Sequence, residues 1–316
     1  TTKLPVPEEV PKETNHSERQ EEIPIPSEGV AIYLVLDQSG SMNEGMFFAN
    51  SKGERFQSRR IDILKQVTSQ FIKGNVGLGL HGRPNDIIGL IFFARKAKVI
   101  APLTLDHTRL LEELGQMDTV KYDDENGTAI GYALFKTVHL IKTTKHFSEE
   151  MITEGMRPPY DIKSTVIVLV TDGIQEPNPR DSHHNLRTMD LMAATRYAEE
   201  AGVKVYVINI NPDIRYARFA RAKSDLEHIA KATGGRFFIA DNPKALTDIY
   251  REIDILEKDI LPVDKTIQAN VEEDILATFK EPENARFLLY PYFIGFGLCF
   301  LALSIIAENT ILRRVV

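Results

Sequence analysis

Three short segments of the chain carry side-chain oxygens at spacings suited to holding a cation. They are Asp37-Gln38-Ser39-Gly40-Ser41, Asn126-Gly127-Thr128-Ala129-Ile130-Gly131 and Thr171-Asp172-Gly173. Asp37, Ser39, Ser41, Thr128 and Asp172 supply two carboxylates and three hydroxyls, with glycines nearby that let the backbone turn sharply. A donor set made only of oxygen suits a hard divalent ion, Mg²⁺ or Mn²⁺, in octahedral geometry. Two aspartate charges formally balance such an ion, and neutral hydroxyls leave it electrophilic. Five side chains, some acting through water, do not close a six-coordinate shell. The expected site is therefore open to an incoming carboxylate.

Such residues need a scaffold that brings distant segments to one place. Strand-like runs occur at 30–37, 86–94, 98–104, 164–172, 203–211 and 236–240. Several are continuously apolar and β-branched, as in strands buried on both faces of a parallel sheet. Helical spacing lies between them: Ile61, Leu64, Val67 and Phe71 share one face, as do Ile130, Leu134, Val138 and Ile141. A further helix is signalled by Asp241-Asn242-Pro243, a cap residue followed by proline at the first helical position. The pattern predicts a doubly wound α/β domain over 29–262, with a mostly parallel sheet flanked by helices. In such sheets ligands bind at the carboxyl ends of the strands, where the three oxygen-bearing segments fall. Two stretches, 43–58 and 145–163, read as loops of unusual length, and long loops of this kind are often functional.

The remainder of the 316 residues differs in character. Residues 1–28 hold Pro5, Pro7, Pro11, Pro24 and Pro26 among charges, the composition of an extended, disordered linker. The sequence starts without Met or a signal peptide, the pattern of a fragment or a processed product. After a juxtamembrane segment at 263–286, Phe287 to Ala307 contains no charged residue; at about 1.5 Å per residue it spans roughly the 30 Å of a hydrocarbon layer. A transmembrane helix is expected over 287–309, with Tyr290 and Tyr292 at one interface and a short basic tail, 310–316, at the other. The flanking charges, Arg313 and Arg314 against Lys280 and Arg286, nearly tie and lean only slightly towards a cytoplasmic tail. With 38 basic and 45 acidic side chains the net charge is −7, which argues against nucleic acid as a partner. The single cysteine, Cys299, excludes intramolecular disulfides and cysteine-based zinc or iron–sulfur sites.

The D-x-S-x-S of Asp37, Ser39 and Ser41, the later Thr128 and the T-D-G at Asp172 together resemble the metal-ion-dependent adhesion site of von Willebrand factor A domains. The likeness extends over about 230 residues, with the five positions in the family's order. It implies that Ser39, Ser41 and Thr128 bind Mg²⁺ or Mn²⁺ directly, that Asp37 and Asp172 act through water or switch with state, and that an Asp or Glu of a protein partner takes the last position. Within the family, RIDILKQVTSQFI, DIIGLIFFA, PLTLDHTRLLEEL, GTAIGYAL and the terminal span ending NTILRR look most like bacterial membrane-anchored Bat (aerotolerance-type) proteins. That subfamily carries extra hydrophobic helices before the domain, so the resemblance implies truncation or processing here. It also implies a bacterial inner-membrane protein with its domain outside the cytoplasm, associated with other Bat proteins and a MoxR-type AAA+ ATPase.

Other motifs carry less. Gly77-Leu78-Gly79-Leu80-His81-Gly82 matches a dinucleotide fingerprint, but a helix precedes it and a strand follows, the reverse of what that site needs. There is no P-loop, no second aspartate beside Asp37 for phosphoaspartate chemistry, and no nucleophile elbow at Ser39. His183-His184 and Asp123-Asp124-Glu125 read as a surface loop and a solvated acidic turn, and Asn126-Gly127-Thr128 is formally a glycosylation sequon. The expected function is non-enzymatic: a membrane-anchored module that binds a protein partner through its metal. Two alternatives are a structural subunit whose metal only stabilises the fold, and a metal-dependent hydrolase with Glu176 as its base.

Overall fold

A computed structural model describes residues 28–49, 55–156 and 160–258. Of the linker expected over 1–28, residues 1–27 lie outside the described residues, as does everything beyond 258, including the expected membrane helix at 287–309; Glu28 opens the first strand. Among the described residues no helix is long and apolar enough to cross a membrane.

In chain order the elements are β1 (Glu28–Asp37), β2 (Gly45–Ala49), β3 (Arg55–Arg59), α1 (Arg60–Lys73), β4 (Ile87–Phe93), β5 (Ala97–Thr104) and α2 (His107–Gly115). There follow α3 (Ile130–Thr153), β6 (Asp161–Thr171), α4 (Leu191–Glu200), β7 (Lys204–Asn209), α5 (Ala220–Ala232), β8 (Phe237–Ile239) and α6 (Pro243–Lys258). Six strands form one sheet in the order β5-β4-β1-β6-β7-β8. All neighbours are parallel except β4 and β5. This is the α/β architecture expected from the continuously apolar strands.

Alternation along a strand explains why β1 has no polar side. Val30, Ile32, Leu34 and Leu36 pack into the layer formed with α1, α2 and α6. Tyr33 and Val35 face the opposite layer, built with α3, α4 and α5. The edges are blunted: β8 has three residues, and β5 carries Pro102, which an edge strand tolerates because its N–H is not needed in the ladder. Parallel register aligns the strand ends, so Asp37 stands opposite Phe93, Leu36 opposite Val170 and Thr171 opposite Asn209. Asp37 and Thr171 therefore emerge side by side at the carboxyl edge.

Three of the helices start as their sequences suggest. Asp106, Asp190 and Asn242 each accept a hydrogen bond from a backbone N–H of the first turn of α2, α4 and α6, and Pro243 opens α6. At its other end α6 is fastened to the opposite, amino edge of the sheet. Glu257 is fully buried and accepts from the Tyr206 hydroxyl at 2.6 Å, Lys204 Nζ at 2.9 Å and the Ser164 hydroxyl at 3.3 Å. Asp254 pairs with buried Arg83 at 2.8 Å; Arg83 also binds Asp86 and lies over the Phe71 ring. Tyr250 joins α6 to α1 through a 2.9 Å hydroxyl contact with Thr68.

The two expected long loops are corrected. Residues 43–58 contain a ribbon, with β2 and β3 paired antiparallel from Gly45–Arg59 to Ala49–Arg55. Its strands are short and their alternation weak, so the turn-rich middle masked them. Residues 145–163 are mostly helix and strand: α3 runs to Thr153 and β6 begins at Asp161. The apolar stripe of α3 ends at Ile141, yet the helix continues with Thr143, Thr144, Ser148 and Thr153 donating to carbonyls four residues back.

Gly89 in β4 sits opposite Tyr33, and a Cβ there would lie 2.5 Å from the Tyr33 ring. Gly89→Ala is expected to overpack this buried site and destabilise the domain by about 1–3 kcal/mol. A drop in the urea midpoint at unchanged slope would show it.

Candidate metal centre

The first strand delivers Asp37 to a fully buried position. The chain then turns: Ser39 N–H donates to Asp37 Oδ1 at 2.8 Å, and a short 3₁₀ turn over Gly40–Asn43 is pinned by the buried Met42 side chain. Spacing by two residues on this turn brings Ser39 Oγ and Ser41 Oγ within 3.1 Å. From the neighbouring strand, the Thr171 hydroxyl donates to Asp37 Oδ2 at 2.6 Å. The next residue, Asp172, accepts from the Ser41 hydroxyl at 2.7 Å on Oδ1. Asp37, Ser39, Ser41 and Asp172 thus form one connected polar chain.

Thr128 arrives from a third loop. Its backbone exchanges hydrogen bonds with Glu176, at 2.8 and 3.0 Å, and Ala129 N–H donates to the Ala94 carbonyl just past β4. A Cβ placed on Gly173 would be 3.6 Å from Thr128 Oγ1, ordinary contact distance, which puts this hydroxyl beside the residue that follows Asp172. Gly127 has φ +136°, a conformation that L side chains rarely adopt, and lets the loop turn into Thr128. All five residues expected to act together are at the carboxyl edge of the sheet.

The electrostatics are unbalanced. Burial is the main cause that raises the Asp37 carboxyl above its ordinary range, and the charge of Asp172 adds to it. Hydrogen bonds from Ser39 and Thr171 act in the other direction without cancelling that rise. Asp172 is also raised by burial, with the Ser41 hydroxyl and the Arg60 guanidinium opposing and Glu44 adding to the rise. Two buried carboxylates here face one buried guanidinium, Arg60, whose Nη1 is 2.8 Å from Asp172 Oδ2. Oxygen donors with excess negative charge fit a hard divalent cation. Among the described residues no group of three or more His, Cys, Asp or Glu side chains converges. Any metal at this edge must therefore rely on hydroxyls beside the two aspartates.

Several residues that matter here escape a reading of motifs. Arg60 opens α1, where a cation opposes the helix dipole; that misfit is the one signal of another partner. Asn126 reads as part of a sequon, but its Oδ1 accepts from Gly40 N–H at 2.9 Å and so joins two of the three loops. Asp181 is buried and held by Arg95 at 2.6 and 2.8 Å and by Arg187 at 2.7 Å. Arg95 also donates to the Asp124 carbonyl, and Asn178 to those of Asp123 and Asn126. The acidic turn 123–125 is exposed, as expected, but its backbone is anchored. His183 and His184 are exposed in a loop. The glycine-rich run Gly77–Gly82 is the turn between α1 and β4, with no helix after it. Glu176 touches Thr128 only through backbone, and its side chain is exposed.

The sequence profile of the von Willebrand factor type A domain matches residues 31–252. The chain belongs to that family. Its vWA domain shares its fold with the PilB minor pilin of Streptococcus sanguinis, at a TM-score of 0.51 and 17% identity over 75% of this chain and 63% of that one. An aerotolerance-related membrane protein of Bacteroides fragilis matches at a TM-score of 0.44 and 21% identity, over 71% of this chain and 98% of that one. An uncharacterised protein of Borreliella burgdorferi is 25% identical over 150 residues, which are 47% of this chain and 39% of the relative. The chain thus spans well under half the length of that relative.

Asp181 gives the vWA domain a measurable acid response. The hydrogen bonds from Arg95 are the main cause that holds its carboxyl well below the usual range, with Arg187 adding to them. A depressed native pKa means the stabilisation is complete above the ordinary aspartate range and is lost as pH falls through that range towards the native value. Asp181→Asn is expected to cost about 2 kcal/mol at pH 7. The gap to wild type, measured by urea denaturation, should narrow between pH 5 and pH 3.

Proposed function

We propose that this vWA domain is a non-enzymatic binding module that recognises a protein partner through a divalent cation, Mg²⁺ or Mn²⁺. Ser39, Ser41 and Thr128 would hold the ion, with Asp37 and Asp172 contributing through water or by switching. When bound, the ion would supply an electrophilic position for an Asp or Glu of the partner. The observation that carries this reading is the buried pair Asp37 and Asp172 at one exit of the sheet, with the Ser39 N–H on Asp37, the Ser41 hydroxyl on Asp172 and the two serine hydroxyls in contact between them. Arg60 pairs with Asp172, and Asp37 is served by neutral donors, so the buried pair keeps an excess of negative charge that a cation would offset.

The module would be carried at a bacterial inner membrane by the apolar span at 287–309, with the domain outside the cytoplasm. Its Bat-like sequence features support a place in a cell-envelope complex with other Bat-type proteins, linked to a MoxR-type AAA+ ATPase. The hydrolase alternative gains nothing from the fold, because the Glu176 side chain is exposed and only its backbone meets Thr128.

Calorimetric titration of Mg²⁺ into the detergent-solubilised chain should give saturable binding that Asp37→Ala weakens at least tenfold. Adding a short glutamate-containing peptide should produce a second binding event that EDTA or Asp172→Ala abolishes. Peptide binding that persists in EDTA would overturn metal-mediated recognition. Mg²⁺ binding that raises the melting temperature with no peptide event would favour the purely structural role.

A further inference from the structure

The first turn of α1 places a cation in contact with a carboxylate of the metal centre. Arg60 is buried, and its Nη1 lies 2.8 Å from Asp172 Oδ2, 2.9 Å from Glu44 Oε2 and 3.3 Å from the Ser41 carbonyl. Asp172 Oδ1 is already bound by the Ser41 hydroxyl, so both oxygens of this carboxylate have donors. Among the described residues Asp37 pairs with no cation: Ser39 N–H and the Thr171 hydroxyl serve its two oxygens. Glu44 is different in kind, since its side chain is 65% exposed and its charge is screened.

We propose that Arg60 sets the charge of the site, cancelling one of the two buried carboxylates so that a divalent ion is held weakly and keeps an uncancelled positive charge. The inference rests on the metal-dependent reading above and deepens it. Two bare aspartates would neutralise a divalent ion and leave little attraction for a third carboxylate. With both carboxylates ionised, as holding a cation requires, Arg60 leaves the buried set one net negative charge, and a bound divalent ion brings it to one net positive charge. A partner's Asp or Glu then restores neutrality as well as filling the coordination shell. In a buried site that balance is worth far more than at the surface. Recognition of an acidic partner thereby becomes a property of this arginine as well as of the ion. Glu44 competes for the same guanidinium nitrogen, so it weakens the hold of Arg60 on Asp172.

The test is Mg²⁺ titration of the full chain by calorimetry, with acetate as the carboxylate probe. Arg60→Met keeps most of the apolar stem and removes the charge. It is expected to bind Mg²⁺ at least tenfold more tightly than wild type, and Arg60→Lys to stay within threefold of wild type. Acetate should tighten Mg²⁺ binding in wild type and have a smaller effect in Arg60→Met. Without metal, Arg60→Met should melt lower than wild type, since Asp172 loses its partner; Mg²⁺ should then raise its melting temperature by more than that of wild type. Glu44→Ala changes an exposed residue and frees the guanidinium for Asp172, so it should weaken Mg²⁺ binding two- to threefold, the opposite sign. Equal Mg²⁺ affinities in wild type and folded Arg60→Met overturn the inference and leave the metal reading standing. If Arg60→Met does not fold, an unchanged affinity in Glu44→Ala overturns it instead. Absence of Mg²⁺ binding in every variant, wild type included, removes the metal reading and this inference with it.

Discussion

Two carboxylates buried side by side are costly, and the carboxyl edge of this sheet is organised around that cost. Asp37 and Asp172 end adjacent parallel strands, and neither side chain reaches bulk water. Isolated buried charge is penalised heavily unless donors and counter-charge surround it. The structure answers with one backbone N–H, two hydroxyls and one guanidinium, drawn from three separate segments of the sequence. The register that sets Leu36 beside Val170 is what lets Thr171 serve Asp37 across the strand gap. A shift of one residue between these strands would turn the Thr171 hydroxyl away from Asp37.

The loops that frame this edge are stitched to each other more than to the core. Asn126 binds the turn after β1, Asn178 binds the loop before Thr128, and Asp181 gathers arginines from two further segments. Loops usually have freedom because their backbone groups face water. Here buried or half-buried side chains occupy the carbonyls of residues 123, 124 and 126, which fixes where Thr128 can sit. The position of that hydroxyl relative to Gly173 is thus set by residues far from any motif.

Much of this was legible in the sequence, for physical reasons that differ from case to case. Continuous apolar runs can survive only between two helical layers, so the strands and the parallel sheet were readable, with ends shifted by up to three residues. The oxygen-bearing residues were legible because strand ends in such a sheet converge. The β2–β3 ribbon was not, since a short two-stranded ladder leaves little periodic trace. The far half of α3 was missed because its stripe stops where packing stops, and the helix goes on for three more turns with threonine and serine hydroxyls turned back onto its own carbonyls instead of an apolar face. Arg60 was hidden for a different reason: its partner lies 112 positions away, and only its unfavourable place at a helix start hints at one.

The fastening of α6 has a mechanical consequence. Its last turns are tied by Glu257 to β6 and β7 at their starts, and β1 also begins at that edge, opposite Asp161. Both places where the chain leaves the domain are therefore at the amino edge, and the oxygen-rich site is at the carboxyl edge. Tension between the chain exits and anything gripped at the site would run along the strands. Parallel neighbours would then be loaded in shear, with many evenly spaced hydrogen bonds sharing the force at once instead of opening one by one. The buried carboxylate of Glu257 would then keep the end of α6 from peeling away from the sheet.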